Sequence, residues 1–466
     1  MEWNKLLSES RNKPTTRKNT AFDLRNEFES DYGRIVFSPA IRRMHDKTQV
    51  FPLTDSDNIH SRLTHSLEVE SVAQSIVTNL IEKGIFNDID DDKSLLFRNL
   101  TKIIASISLC HDIGNPPFGH FGEEIISRYF EDYFESNATL CLTGDEKKDF
   151  TKFNGNAQGF RVLTKLQVLQ DTNGLNLTAA TLASFLKYPN LSSELSDKFY
   201  HKKLGVYQSE IKHLDFIRKE TGIGNKRHPL SFLMEAADSI CYYTMDIEDG
   251  FNKKYYKYEE IIKFFKEEGS RSVRDYITNT DEKIELLVKD DMNKEQTKMV
   301  NLRISLIQHL VEKAVKTFIT NYEPIMEGIY SEELIFDVND EINTDDENKY
   351  SIGKALQEFT NKYIFSNREI QKLELTGETV IRGLLDHFVD SFLCYNCENS
   401  KHKARARKLL SLVSNSLKNI VVLETNTKEF YEWNNYYKLR LIVDYISGMT
   451  DGFALNLYQE LQGIKK

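Results

Sequence analysis

Residues 102–112, KIIASISLCHD, are apolar on nearly every side of a helical wheel, as only a helix at the centre of a body would be. That helix runs straight into an imidazole and a carboxylate, His111 and Asp112. A Gly114-Asn115-Pro116-Pro117 turn follows, then a second histidine, His120, with Glu123 three residues on. A chain that carries its interior up to two ionisable groups, stops and brings another imidazole back must have something there to share.

Helical periodicity governs the surroundings. In residues 61–84, His65, Val69, Val72, Ile76 and Leu80 fall on one stripe, closed by Gly84. Residues 228–250 open with Pro229 in the first turn and end at Gly250. Residues 299–322 and 404–422 also read as helices, whereas period-2 alternation is scarce, so strands should be few and short. Residues 278–298 are charged enough to connect two helical blocks, and 336–350 read as an exposed acidic loop or hairpin. The expected fold is all-α: an N-terminal extension over 1–30, a core over 31–270 and a helical continuation over 271–466.

A chain of 466 residues can bury a large core. Its formal charge of −10 argues against a surface that coats nucleic acid, so any anion site must be a local basic pocket. The five cysteines (110, 141, 241, 394, 397) are too scattered for a disulfide framework, and the CxxC at 394–397 stands alone, structural or incidental. The opening MEWNKLLSESRNKP lacks a signal-peptide layout, and no apolar run approaches a membrane span. A cytoplasmic protein without a membrane partner is expected.

His65 lies on an apolar stripe, His111 and Asp112 end an apolar helix, and Asp238 sits inside the apolar run MEAADSICYY. Each is a polar group where water is scarce, and each needs a partner. One hard or borderline divalent cation would satisfy all four, since such ions take imidazole nitrogen and carboxylate oxygen. The other His-Asp pair, His45-Asp46, follows no apolar helix and reads as surface.

The motifs SRLTHSLEV, HDIGNPPFGHFGEE, NGNAQGFRVL, LGVYQSE, EAADSICYYTMDIEDG and RLIVDYISGMTD together resemble those of the deoxyguanosine triphosphate triphosphohydrolases, in the HD-domain phosphohydrolase superfamily. The resemblance runs in order from about residue 34 to 456, with nothing recognisable over about 255–400. It implies an all-helical homo-oligomer, dimer-based, tetrameric or hexameric. It also implies His65, His111, Asp112 and Asp238 as ligands of Mn²⁺ or Mg²⁺, with Fe²⁺ or Co²⁺ as further options. The implied reaction cuts a deoxynucleoside triphosphate at its α-phosphorus into deoxynucleoside and tripolyphosphate. His120 would move a proton, oriented by Glu123.

A triphosphate needs a basic lining. Arg62 is one turn before His65 on the same helix face. Lys187, Tyr188, Lys203 and Asn156 match the family's phosphate-binding positions. Asp238, Tyr242 and Asp246, four apart, form one helical ridge. The resemblance implies that Tyr242 packs on the deoxyribose and that Asp246 and Gln49 meet its 3′-hydroxyl. Arg440 offers a guanidinium fork for guanine. Some family members answer to a nucleotide or single-stranded DNA effector.

Two other readings compete: an HD enzyme acting on another nucleotide, and an inactive nucleotide-responsive scaffold. The stringent-response hydrolases carry a Glu-Asp pair just after their His-Asp, where this chain has Ile113-Gly114-Asn115-Pro116. A scaffold is disfavoured because the four candidate ligands and the His120–Glu123 pair occur together.

Overall fold

Every residue from Ile103 to Cys110 is buried in the computed structural model, as its apolar pattern requires. The structure describes residues 1–14, 23–49, 52–53, 60–87, 89, 92–137, 140–167, 171–196, 201–288, 293–336, 349–396 and 400–464. The helices that build the site are α1 (Glu27–Val36), α2 (Arg62–Glu82), α3 (Lys93–Cys110), α4 (Gly119–Ser136), α5 (Gly155–Arg161), α6 (Pro229–Asn252), α7 (Lys294–Thr320), α8 (Arg368–Leu393), α9 (Asn435–Ser447) and α10 (Asp451–Leu461). The fold is all-α. Among the described residues, β contacts are isolated bridges, one of them joining Thr48 to Ser61.

Local chemistry starts three of the helices that carry the site. Ser61 caps α2 by accepting from the Thr64 amide, and Asp92 caps α3 through the amides of Ser94 and Leu95. Pro229 opens α6, with the His228 side chain accepting from the Leu230 amide. Helix α3 packs against both α1 and α2, while α6 packs against α2, α3 and α7. Helix α8 packs against α4, α9 and α10. Burial of each Leu, Ile or Phe side chain in these contacts contributes about 1.5–3 kcal/mol before entropy is counted.

Two apolar cores result. One gathers α1, α2, α3, α6 and α7; the other gathers α4, α8, α9 and α10. The N-terminal residues join the first core: Trp3 and Leu6 are buried, and Trp3 Nε1 donates to the Tyr322 hydroxyl at 2.8 Å. The described helices are not long and apolar enough to cross a membrane.

Two expectations change. The described part of 278–298 is mainly helix: Arg271–Leu287 precedes α7, because Val273, Ile277, Thr280 and Ile284 form a buried stripe beneath the charges. The helix expected over 404–422 is two, Ser400–Leu412 and Asn415–Thr425, because the Ser414 side chain accepts from the Leu417 amide and starts a new helix. The acidic stretch lies outside the described residues over 337–348, as does Cys397 of the CxxC; Cys394 is half-buried.

Candidate active site

Three helices deliver four groups to one point. Helix α2 brings His65, the end of α3 brings His111 and Asp112, and the middle of α6 brings Asp238. His65 Nε2 lies 3.0 Å from Asp238 Oδ1, and His111 Nε2 lies 3.4 Å from the same oxygen and 3.6 Å from Asp112 Oδ1. His111 Nδ1 donates to the Ser108 carbonyl at 2.7 Å, which fixes the ring and turns Nε2 toward the carboxylates. That Nε2 is buried without a hydrogen-bond partner. Burial alone would lower the His111 pKa, but Asp112 and Asp238 outweigh it and carry it up to about 9. Against the opposing effect of its own burial, Asp112 is held down to about 2 by Arg62 and His111.

Such a cluster demands positive charge. His65, His111 and Asp238 offer ligand atoms all within 4.8 Å of one another, with Asp112 beside them, so the residues fit a divalent cation bound by nitrogen and oxygen. No thiolate takes part: the neighbouring Cys110 thiol contacts the Ile107 carbonyl, and burial pushes its pKa up.

The turn after Asp112 is shaped by close backbone approach. A Cβ on Gly114 would sit 2.0 Å from the Gly159 amide nitrogen, so the turn rests directly on α5. Phe118 takes a left-handed conformation, φ 63° and ψ 19°, and Gly119 follows at φ 60°. A Cβ on Gly119 would meet Arg62 NH2 at 2.5 Å, so this glycine lets the guanidinium pass to Asp112, with which it forms an ion pair. His120, the second residue of α4, is 78% exposed, with Nδ1 3.3 Å from Glu123 Oε1. The Glu123 carboxylate raises the His120 pKa.

Arg62, Asp112, His120, Asp238, Tyr242 and Gln49 line one cavity of about 430 Å³ at the seam of the two cores. Its remaining wall includes Phe365, Ile370, Leu373 and Glu374. Tyr242 stacks on Phe365, ring centroids 6.3 Å apart and planes 19° from parallel. One turn beyond Tyr242, Asp246 is 2% exposed; burial and then Asp249 raise its pKa. Asp246 Oδ2 and Gln49 Oε1 are both buried acceptors without partners.

The other expected residues stand apart from that cavity's lining. Asn156 begins α5 and donates to Asn154 Oδ1. Lys187 Nζ is 2.6 Å from Glu235 Oε1, one turn before Asp238, and Lys187 and Lys203 flank the Tyr188 ring at 5.6 and 5.7 Å. Arg440 is fully buried, donates to Gln158 Oε1 and lies 3.9 Å from the Tyr207 ring centroid. His45 pairs with its neighbour Asp46, both exposed. Phe365, Ile370, Leu373 and Glu374 were missed because they lie in the stretch that carries no recognisable motif; no local signal marks them.

An all-helical body that gathers a histidine, a His-Asp pair and a distant aspartate at helix ends and middles defines an HD-type phosphohydrolase. Comparison with known proteins agrees. A family model described as "Phosphohydrolase-associated domain" matches residues 392–460. The deoxyguanosinetriphosphate triphosphohydrolase-like protein of Listeria monocytogenes is 36% identical over the whole of both chains, and that of Synechocystis is 32% identical over the whole of both. The deoxyguanosinetriphosphate triphosphohydrolase of Cronobacter sakazakii is 30% identical over 94% of each chain. The chain belongs to the deoxyguanosinetriphosphate triphosphohydrolase-like family of HD phosphohydrolases.

Proposed function

We propose that the protein hydrolyses deoxynucleoside triphosphates, dGTP foremost, at the α-phosphorus to deoxynucleoside and tripolyphosphate. The observation that carries this reading is the convergence of His65, His111 and Asp238 beside Asp112, the two carboxylates lining a cavity that also holds Arg62, His120 and Tyr242. A divalent cation held by His65, His111, Asp112 and Asp238, Mn²⁺ or Mg²⁺ first, would supply Lewis acidity and lower the pKa of water.

The chain's own groups account for the rest. His120, exposed to the cavity and held by Glu123, moves the proton between the reacting water and the departing 5′-oxygen. Arg62, already facing a carboxylate, neutralises phosphate oxygens; Asn156, Lys187, Tyr188 and Lys203 hold the distal phosphates. The Tyr242 ring, braced by Phe365, packs on the deoxyribose and leaves no space for a 2′-hydroxyl. Asp246, whose Oδ2 is buried without a partner, accepts from the 3′-hydroxyl, and Gln49 joins that contact through its side-chain amide. Assembly as a homo-oligomer belongs to the same reading.

The test is incubation with Mn²⁺ or Mg²⁺ and each of the four deoxynucleoside triphosphates, alone and in the presence of the other three. Tripolyphosphate from dGTP supports the proposal. Pyrophosphate or orthophosphate would mean a different HD reaction, and bound metal without any product would mean a scaffold.

A further inference from the structure

The motif ISGMTD, at the junction of α9 and α10, has no part in the reaction described above, yet it reaches the cavity wall from behind. Asp451 is the first residue of α10, where an aspartate ordinarily faces solvent and favours its own helix dipole. Here it is 3% exposed, and three of its hydrogen bonds leave its helix. One oxygen, Oδ2, accepts from the Thr48 amide at 3.1 Å and from the Thr48 hydroxyl at 2.8 Å. The other, Oδ1, accepts from the Phe118 amide at 2.9 Å. One carboxylate thus ties together two loops that are far apart in sequence, and both loops line the cavity.

Each loop delivers a functional side chain just past the tie. Thr48 precedes Gln49, and Phe118 precedes Gly119 and His120. Phe118 needs such a hold, because a bulky aromatic residue at φ 63° is in a conformation that only its surroundings can impose. Its ring is seated against α8, where a Cβ on Gly377 would lie 2.8 Å from Phe118 Cγ. A second tie runs in parallel: Lys47 Nζ donates to the Asn115 carbonyl at 2.5 Å and to the Ser447 carbonyl at 2.9 Å. The α9–α10 junction therefore grips the loop before Gln49 at Lys47 and Thr48 and the turn before His120 at Phe118, while Lys47 joins that loop to the turn at Asn115.

The geometry points to Asp451 as a positioning residue that sets His120 and Gln49 at their working distance from one another, an inference that rests on the roles proposed for those two residues. Asp451 touches neither substrate nor metal-binding groups; it acts through the backbone that carries them. Catalytic geometry is sensitive to displacements of this kind, about 10²-fold for 1 Å.

Asp451→Asn keeps the shape and replaces one acceptor oxygen by a donor, which faces an amide or hydroxyl donor of one of the two loops. With dGTP it is expected to lose about 10²-fold in kcat while binding Mn²⁺ as wild type does. In the His120→Ala background the same change should cost less than about threefold, because residues that act through one another are not additive. An equal loss in both backgrounds, or wild-type kcat in Asp451→Asn, overturns the inference. If His120→Ala loses turnover while Asp451→Asn keeps it, only Asp451 is ruled out. If His120→Ala itself keeps wild-type kcat, the role of His120 falls, and that of Asp451 with it. Should Asp451→Asn not fold, Thr48→Val removes only the hydroxyl tie; it is expected to raise KM for dGTP severalfold with kcat nearly unchanged, and an unchanged KM overturns the link to Gln49.

Discussion

His111, a ligand in the proposed reading, has its two ring nitrogens in different surroundings. Its Nδ1 is spent on the Ser108 carbonyl, and its Nε2 is buried between two carboxylates with nothing to bond. The same accounting separates His120, which keeps one ring nitrogen on Glu123 and stands open to the cavity. His120→Ala should therefore retain metal, measured by elemental analysis, while kcat falls by about 10²–10³-fold. Tyr242→Ala tests the sugar: the ratio of kcat/KM for dGTP over GTP should fall toward unity, and an unchanged ratio would remove the ring from discrimination. His65, His111, Asp112 and Asp238 stand out in the sequence because burial logic applies to single positions, and an aspartate inside MEAADSICYY or a histidine on an apolar stripe has to be explained. The roles of His120 and Tyr242 rest on the family resemblance instead. Arg440 was not readable in that way, because nothing in YYKLRLIVDYIS tells that its guanidinium is committed to Gln158 and the Tyr207 ring.

Helix α6 carries Asp238, Tyr242 and Asp246 on one ridge, and the first two of these line the cavity. Its start was plain from Pro229, but its cap is less ordinary. His228 Nδ1 accepts from the Leu230 amide at 3.1 Å, while its Nε2 faces the Leu6 carbonyl at 3.3 Å. That arrangement requires neutral imidazole, and burial holds the pKa down to about 4. A histidine depressed from its usual ~6.5 contributes stability that is present above that value and lost as pH falls through the folded-state pKa. His228 should thus contribute a loss of about 2 kcal/mol to stability, read by urea unfolding, between pH 7 and pH 5, and His228→Asn, which caps without titrating, should reduce the slope by that much. An identical slope in the variant would place the acid sensitivity elsewhere. Helix boundaries were legible where the signal was unmistakable, as at Pro229, whereas Ser414, inside an apparently continuous pattern, divides one expected helix into two.

Across the whole molecule, the cavity exists because two cores meet, and long-range pairs fasten that seam. Arg161 on α5 is wholly buried and binds Asp444 of α9 at 2.8–3.0 Å and Glu210 at 2.6 Å. Removing one partner of such a buried group would leave charges uncompensated, so this network serves to specify one docking of the C-terminal helices. Periodicity read the all-α class correctly, but no periodicity says which helices share a core, and the wall built from Phe365, Ile370, Leu373 and Glu374 stayed out of reach for that reason. The central claim is that these two cores enclose a hydrolase acting at the α-phosphorus. The most direct measurement is hydrolysis of dGTP with Mn²⁺ in ¹⁸O-labelled water, followed by mass spectrometry of both products. The account predicts unlabelled deoxyguanosine and tripolyphosphate carrying one ¹⁸O; label in deoxyguanosine, or the appearance of dGMP or dGDP as the first product, would contradict it.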